Sequence, residues 1–155
     1  MKKFMLLIIT ICFAAILNAQ SNTGVIPQGT VLVKDKHYFS PNGKFSLCYQ
    51  ADGNLVVYKH IRPKNIVPLW NSGRYFSGKC IFQNDGNLVI YYDNGKAVWD
   101  AKDKWKDASG NTPLETLYSH ELRVQDDGNV VIYCVAPTKP KPRYVAMFHT
   151  NTAGR

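Results

Sequence analysis

Gln50-Ala51-Asp52-Gly53-Asn54-Leu55-Val56-Val57-Tyr58 is the stretch that decides the fold of this chain, because the same nine-residue pattern returns twice. The second copy is Gln83–Tyr91 and the third is Gln125–Tyr133, and all three read Q-x-D-G-N-[LV]-V-[VI]-Y. Self-similarity at intervals of a few tens of residues indicates a fold built from structural repeats. We therefore expect three equivalent units in one chain.

Each copy predicts a β-hairpin. Apolar residues alternate with polar ones on both sides of the turn, with Phe45, Leu47 and Tyr49 before it and Leu55 and Val57 after it. A period of two is typical of strands. The Asp-Gly-Asn between them favours a turn, because glycine adopts positive φ without steric cost and Asp and Asn bond nearby backbone groups. No segment shows a sustained helical period, so we predict an all-β chain.

The parity of the apolar positions predicts which side chains face outward. The odd-numbered apolar residues share the core face, so only a loop with an odd number of residues keeps Gln50 off that face. With Asp52-Gly53-Asn54 as the loop, Gln50 lies opposite Val56 and Cys48 lies opposite Tyr58. Gln50, Val56 and Tyr58 then form one outer face, with the loop residues at its edge. The other two copies repeat this patch.

The composition suits a single compact domain. The chain has 155 residues, a formal net charge of +8, 45% hydrophobic residues and 19% charged residues. These values exclude a disordered or fibrous chain.

The first twenty residues have the order of a secretory signal peptide. Met1-Lys2-Lys3 precedes an apolar run from Phe4 to Leu17, and Asn18-Ala19-Gln20 follows it. We predict a signal peptide at residues 1–19 and a single domain with three internal repeats at residues 20–155. We expect secretion to the extracellular space, or to the periplasm if the source is a bacterium.

An aromatic residue in an apolar setting follows each hairpin. These residues are Trp70, Trp99 and Phe148, and we predict that they form the central core where three sheets meet. Two segments interrupt the repeat: Lys102–Ser119, rich in Lys, Asp and Gly, and Ala136–Arg143, rich in Pro and Lys.

The three copies resemble the bulb-type mannose-binding lectins of monocot plants and other organisms, whose defining motif is Q-x-D-x-N-x-V-x-Y. The resemblance covers about residues 26–151. It implies a β-prism II fold, in which three four-stranded antiparallel sheets surround a pseudo-threefold axis. Trp70 and Trp99 match the family's central tryptophans, and Phe148 departs from them.

The resemblance also implies that each motif binds one mannose. Asp52 and Asn54 would bond the axial 2-hydroxyl, Gln50 the 3-hydroxyl and Tyr58 the 4-hydroxyl. Val56 would lie against the apolar ring carbons. The corresponding carbohydrate-binding residues of the other motifs are Gln83, Asp85, Asn87, Val89, Tyr91, Gln125, Asp127, Asn129, Val131 and Tyr133. No metal ion or other cofactor is implied.

The same residues suit a sugar on chemical grounds. A sugar presents fixed hydroxyl donors and acceptors over a weakly apolar face. One carboxylate, two amides, one phenol and a small apolar side chain complement it.

The cysteines depart from the family. Its common disulfide begins at a cysteine in the first motif's turn, where Gly53 stands in this chain. Parity places Cys48 on the outer face and places Cys80 and Cys134 on the core face. The pairing of the cysteines stays open.

We predict a secreted, non-catalytic lectin with up to three sites, whose partners are mannose-containing glycans or glycoproteins. The alternative is a lectin-like antibacterial or surface-adhesion protein whose basic loops, residues 59–64 and 139–143, bind lipopolysaccharide, another bacterial surface polysaccharide or an anionic surface such as a membrane. The sequence leaves open whether the chain forms a homo-oligomer.

Two other classes are disfavoured. Export and the lack of a recognised module argue against nucleic acid as a partner. An enzyme is disfavoured because His37, His60, His120 and His149 are scattered, without the spacing of a metal site, and no nucleophile motif is present. We expect these histidines to lie on the surface.

Overall fold

The structure, a computed structural model, describes residues 22–62, 65–75, 78–102, 119–136, 138 and 140–155. Within these residues the chain forms twelve β-strands. They are β1 Val25–Ile26, β2 Thr30–Leu32, β3 His37–Phe39, β4 Phe45–Tyr49, β5 Leu55–Arg62, β6 Asn65–Asn71, β7 Gly78–Phe82, β8 Leu88–Tyr92, β9 Ala97–Asp100, β10 Ser119–Val124, β11 Val130–Ala136 and β12 Arg143–His149. The described part of the chain has no helix long and apolar enough to cross a membrane.

The strands form three four-stranded antiparallel sheets, which confirms the expected fold class. Sheet 1 has the order β3-β4-β5-β6, sheet 2 the order β2-β7-β8-β9 and sheet 3 the order β1-β10-β11-β12. The hairpins β4–β5, β7–β8 and β10–β11 carry motifs 1, 2 and 3 respectively. Because β1, β2 and β3 follow one another in the chain but belong to three different sheets, one short N-terminal segment connects all three repeats.

The inner faces of the sheets share one apolar core. At its centre, the ring centroids of Trp70 and Trp99 are 6.0 Å apart, those of Trp70 and Phe148 are 6.3 Å apart and those of Trp99 and Phe148 are 6.0 Å apart. All three pairs meet edge to face, which is a preferred geometry for aromatic rings. The predicted central role of these aromatics is confirmed, with Phe148 completing the set.

The hairpin register corrects one prediction by two residues. The turn has an odd number of residues, as parity requires, but it comprises Ala51, Asp52 and Gly53. Tyr49 pairs with Leu55, Cys48 with Val56 and Ser46 with Tyr58, whereas the sequence suggested that Cys48 faces Tyr58. The bonds from Gln50 N to Asn54 O and from Gly53 N to Gln50 O close this loop, and their counterparts close the other two. The inward and outward assignment of the side chains is unaffected, because a shift of two residues preserves parity.

Glycine in these turns serves packing as well as conformation. Gly53, Gly86 and Gly128 have φ of 86°, 81° and 93°, in the left-handed region that favours glycine. A Cβ at Gly86 would overlap the ring of His120, and one at Gly128 would come within 2.6 Å of the ring of Phe45. His120 is 3% exposed, so the expectation that it lies on the surface is wrong.

The cysteines follow their predicted faces. Cys80 and Cys134 belong to the core, whereas Cys48 pairs with Val56 on the outer face of sheet 1. Cys48 is nevertheless buried, with 3% of its surface exposed. No disulfide joins any two of these three residues. The predicted signal peptide, most of the 102–119 insertion and parts of both basic loops lie outside the described residues.

Candidate functional site

The structure places the five named residues of each motif on the outer face of its hairpin. In motif 1, Asp52 is exposed, Gln50 and Tyr58 are half-buried, and Asn54 and Val56 are 5% and 3% exposed. Motifs 2 and 3 follow the same gradient, except that Asn129 is half-buried. Each site therefore has an exposed rim and a covered floor, rather than the uniformly exposed patch that the sequence suggested.

The motif aspartates are oriented by their own turns. Oδ1 of Asp52 accepts a hydrogen bond from the backbone N–H of Asn54 at 2.9 Å. The corresponding distances are 3.0 Å at Asp85 and 2.9 Å at Asp127. A carboxylate held in this way directs its second oxygen, Oδ2, outward as an acceptor for a ligand.

Glutamine and tyrosine form a fixed pair in every motif. Nε2 of Gln50 donates to Oη of Tyr58 at 2.8 Å, and the equivalent bonds measure 2.7 Å in motif 2 and 2.9 Å in motif 3. The glutamine keeps Oε1 as an acceptor, and the phenol keeps its proton as a donor. Burial, followed by neighbouring Cys48 and Asp52, raises the pKa of Tyr58, so this phenol stays protonated at neutral pH.

The motif asparagines are oriented by residues that follow the central aromatics. Ser72 Oγ donates to Oδ1 of Asn54 at 3.0 Å, and Thr150 Oγ1 donates to Oδ1 of Asn129 at 3.1 Å. In motif 2, where Ala101 stands at this position, the backbone N–H of Lys102 donates to Oδ1 of Asn87 at 2.9 Å. In all three motifs the asparagine oxygen is occupied, so the amide Nδ2 is the group left to donate to a ligand.

Site 2 differs from the others at this donor. Nδ2 of Asn87 donates to Oδ1 of Asp100 at 3.5 Å. The residues opposite Val56 and Val131 in the same register are Asn71 and His149. Neither of them bonds a motif asparagine among the hydrogen bonds of the described residues. One N–H of the Asn87 amide is therefore engaged by a carboxylate, which leaves only the other for a ligand at site 2.

The floor of each site is a valine between two cross-strand neighbours, and the sequence interpretation missed these neighbours. Val56 lies between Cys48 on β4 and Asn71 on β6. The equivalent pairs are Ile81 and Asp100 beside Val89, and Arg123 and His149 beside Val131. The neighbours on β6, β9 and β12 each directly follow a central aromatic residue in the sequence. That position is the signal that would have identified them. The residues beside the floor valine therefore differ in chemistry among the three sites, although the motifs are the same.

Two of the supposedly scattered histidines meet beside site 1. Ser46 Oγ lies 2.8 Å from Nδ1 of His37 and 2.8 Å from Nε2 of His60. Ser46 is fully buried, and His37 packs 5.6 Å from the ring of Tyr58. Burial lowers the pKa of both histidines, opposed at His37 by Asp35 and reinforced at His60 by His37. This cluster supports the tyrosine of site 1 and corrects the expectation of isolated surface histidines.

The donors and acceptors of each site lie on the same face of the hairpin as the buried valine. A carboxylate oxygen and a glutamine oxygen accept, an asparagine amide and a phenol donate, and the floor is apolar. This arrangement suits adjacent hydroxyl groups on a ring with one apolar face. Among the described residues, no group of three or more His, Cys, Asp or Glu side chains suits a metal ion.

Two curated proteins have sequences similar to this chain. One is the B-type lectin plumieribetin of Scorpaena plumieri, 37% identical over 70 residues, which are 44% of this chain and 57% of that protein. The other is Curculin-2 of Molineria latifolia, 33% identical over 96 residues, which are 60% of this chain and 56% of that protein. The chain thus spans a little over half the length of each relative. No protein-family model matches the chain.

Solved structures resemble the chain over most of its length. A Marasmius oreades lectin superposes with a TM-score of 0.60 at 26% identity, over 84% of this chain and 92% of that one. A monomeric monocot mannose-binding lectin of Gastrodia elata gives 0.58 at 26% identity, over 84% and 98%. A Polygonatum cyrtonema lectin complexed with monomannoside gives 0.52 at 26% identity, over 74% and 91%. The fold is the β-prism II fold. The β-prism thus carries three copies of the motif, one on the outer face of each sheet.

Proposed function

We propose that this chain is a secreted, non-catalytic lectin that recognises mannose or α-mannose-containing glycans at up to three sites. One observation carries the proposal. In all three motifs the same internal bonds leave the same groups to a ligand among the described residues, namely Asp Oδ2, Gln Oε1, the Tyr hydroxyl and at least one N–H of the Asn amide. A surface that only faced water would not require three copies of one donor and acceptor arrangement.

The arrangement favours a sugar with a distinctive hydroxyl near the turn. Asp52 and Asn54 are two residues apart at the turn, so a carboxylate acceptor and an amide donor are available to the same hydroxyl group. A hydroxyl both donates and accepts, and it is satisfied by this pair. Mannose offers its axial 2-hydroxyl for that role. A sugar whose hydroxyl points elsewhere would leave the buried Asn54 amide unpaired, which costs binding free energy.

Similar proteins support this choice of sugar. The Gastrodia elata protein is a mannose-binding lectin, and the Polygonatum cyrtonema lectin was solved with a monomannoside. The superposition covers nearly all of those two chains. This chain therefore shares its fold with two proteins that bind mannose or a mannoside, and this likeness supports mannose as the ligand of the motif residues.

The three sites are not equal. Asn54 and Asn129 offer their amide donors without a carboxylate beside them, whereas the Asn87 amide is shared with Asp100. We infer that sites 1 and 3 bind a single mannose more tightly than site 2. Three weak sites on one body still gain affinity when a branched glycan or a glycan-coated surface engages more than one of them.

The rival function is adhesion to an anionic bacterial surface polysaccharide. Arg62, Lys141 and Arg143 are exposed at the ends of two hairpins and favour anionic partners. These cations lie beyond the motif residues, so the two functions depend on different side chains. Binding of an anionic partner through exposed cations weakens as salt rises, whereas binding of an uncharged sugar has little dependence on salt.

A glycan array at two salt concentrations, with methyl α-mannoside as competitor, tests the proposal. The matched variant carries Asp52→Asn, Asp85→Asn and Asp127→Asn, because asparagine keeps the turn acceptor Oδ1 and replaces only Oδ2. We expect mannose-competable, salt-insensitive binding for the unaltered chain and its loss in the triple variant. Binding that salt abolishes and mannose leaves unchanged would instead favour the basic loops.

The proposed secretion has its own test. Exported protein should begin at Gln20, which N-terminal sequencing of secreted material checks.

A further inference from the structure

The outer face of sheet 3 continues past motif 3, whereas that of sheet 2 ends near its motif. Strands β11 and β12 have seven residues each, but β8 and β9 have five and four. Beyond Tyr133, the register pairs Val135 with Tyr144 on the same face. The longer hairpin therefore places additional side chains directly beside site 3.

Tyr144 is the exposed aromatic of this extension. Its side chain is 43% exposed, and its ring meets Tyr133 edge to face with centroids 5.9 Å apart. Tyr133 is the motif residue that supplies the phenol of site 3. Tyr144 consequently adjoins the end of the site where that phenol lies.

Arg123 connects the floor of site 3 to this aromatic. It pairs with Val131 across β10 and β11, and its guanidinium lies 5.7 Å from the ring centroid of Tyr133 and 4.6 Å from that of Tyr144. Cation–π contact at these distances is attractive. The guanidinium is therefore held against both rings.

Glu121 fixes the orientation of the guanidinium and compensates its charge. Nε of Arg123 donates to Oε2 of Glu121 at 2.7 Å, and Nη2 forms an ion pair with the same oxygen. The side chains of Arg123 and Glu121 are 34% and 30% exposed, so both reach the solvent. Since an arginine has five N–H donors and a carboxylate has two oxygens, the pair retains groups for a ligand.

The other sites lack this arrangement. The residue that pairs with the floor valine is Cys48 in site 1 and Ile81 in site 2, and neither donates like a guanidinium. In site 1 the position of Tyr144 is taken by Ile66, which pairs with His60. Only sheet 3, among the described residues, combines an exposed ring with an ion pair beside the motif.

We propose that Tyr144, Arg123 and Glu121 form a second sugar subsite, which binds the hexose next to the mannose in site 3. This inference rests on the proposed function. The Tyr144 ring offers an apolar surface for the C–H groups of a sugar, and the ion pair offers a donor and an acceptor for its hydroxyls. The ring is already held by Arg123 and Tyr133, so little side-chain freedom is lost on binding. A neutral hexose is favoured over an acidic one, because Glu121 compensates the charge of Arg123.

Calorimetry with methyl α-mannoside and with α-linked mannobioses of each linkage tests the subsite. The measurements use the full chain carrying Asp52→Asn and Asp85→Asn, so that only motif 3 is intact. We expect at least one mannobiose to bind more tightly than methyl α-mannoside. Tyr144→Ala should then weaken that mannobiose by about fivefold to tenfold and leave methyl α-mannoside within about twofold.

Three further variants separate the subsite from a folding effect. Tyr144→Phe keeps the ring and should keep the mannobiose preference. Arg123→Lys keeps the charge but loses the planar fork, so the preference should fall. Ile66→Ala, the matched change on sheet 1, should have no effect in this background. Thermal melting checks that each variant is folded.

The outcomes also separate this inference from the proposed function. If methyl α-mannoside binds but no mannobiose binds better, or if Tyr144→Ala leaves the preference intact, the subsite is wrong and the lectin function stands. If the unaltered chain binds neither sugar, both proposals are wrong.

Discussion

Gly128 in the turn of motif 3 lies over the ring of Phe45 in sheet 1, so close that a Cβ on Gly128 would come within 2.6 Å of Cε1 of Phe45. Gly86 in motif 2 stands in the same relation to His120 in sheet 3. The binding turn of one sheet thus rests on a ring from another sheet. The turns of motifs 2 and 3 are coupled in this way to the packing of one sheet against another.

This coupling predicts that Gly128→Ala is more destabilising than an equivalent change without the contact. Gly95 is the matched control, because its φ of 83° is similar and nothing lies within 4 Å of its Cβ position. We expect Gly95→Ala to lower the free energy of unfolding by about 1 kcal/mol through backbone strain alone. Gly128→Ala should cost roughly 1–3 kcal/mol more through overpacking. Urea unfolding measures both, and equal losses would contradict the role of the ring.

Two substitutions of Asp127 should separate binding from turn stability. Asp127→Asn keeps the Oδ1 acceptor for Asn129 N–H, so it should remove mannose binding at site 3 without a loss of stability. Asp127→Ala removes binding as well as the turn bond, and should lower the free energy of unfolding by about 1 kcal/mol. Calorimetry and thermal melting on the two variants make the comparison. Retained binding in the asparagine variant would argue against Oδ2 as the ligand-facing oxygen.

Chains with one intact motif should reveal the inequality of the sites. Each of these chains carries asparagine in place of the motif aspartate in the other two motifs. The chain with only motif 2 should bind methyl α-mannoside about twofold to fivefold more weakly than the chain with only motif 1, because Asp100 competes for the Asn87 amide. Equal affinities in calorimetry would show that the 3.5 Å contact has no influence.

The histidine cluster beside site 1 predicts a loss of stability in mild acid. Burial lowers the pKa of His37 and His60 from the ordinary value of 6.5, with Asp35 acting in the opposite direction on His37. The unfolded chain therefore binds more protons than the folded chain as the pH falls. The stabilising contribution is complete above pH 6.5 and decreases as the pH drops from there through the lowered folded-state values.

Thermal melting between pH 7.5 and about pH 5 tests this dependence, in a window above the titration of most carboxylates. The double variant His37→Gln and His60→Gln is the control, and its melting temperature should change less with pH. Calorimetry of the motif 1 chain should show the same trend in mannose affinity, since His37 packs against Tyr58. Identical pH profiles for the variant and the unaltered chain would show that the cluster does not titrate in this range.

Much of the fold follows from local patterns that the sequence displays. Period two at Phe45, Leu47 and Tyr49 predicts a strand, and Asp-Gly-Asn predicts a turn, because both depend on near neighbours alone. Parity then places Gln50 and Tyr58 on the outer face. The predicted register of the hairpin was wrong by two residues. Parity distinguishes a loop with an odd number of residues from one with an even number, but it does not distinguish two odd loops that begin at different residues.

Contacts between strands distant in the chain were not predictable in this way. Asn71 and Arg123 lie beside the floor valines of sites 1 and 3 only because of cross-strand pairing. His37 and His60 are 23 residues apart in the sequence. They meet through Ser46 only because β3, β4 and β5 are neighbouring strands. Such contacts depend on which strands pair, and no local propensity encodes that choice.

The sequence by itself determined the threefold repeat, the hairpins, the outward set of motif residues and the central aromatics, because periodicity and turn chemistry are local properties of the chain. The tertiary structure alone decided how deeply the valine floors are buried, which donor Asp100 shares, and where Arg123 meets Tyr144. The physical reason is that burial and side-chain pairing arise from strands brought together across long stretches of chain. Three copies of one motif therefore became three sites with different surroundings.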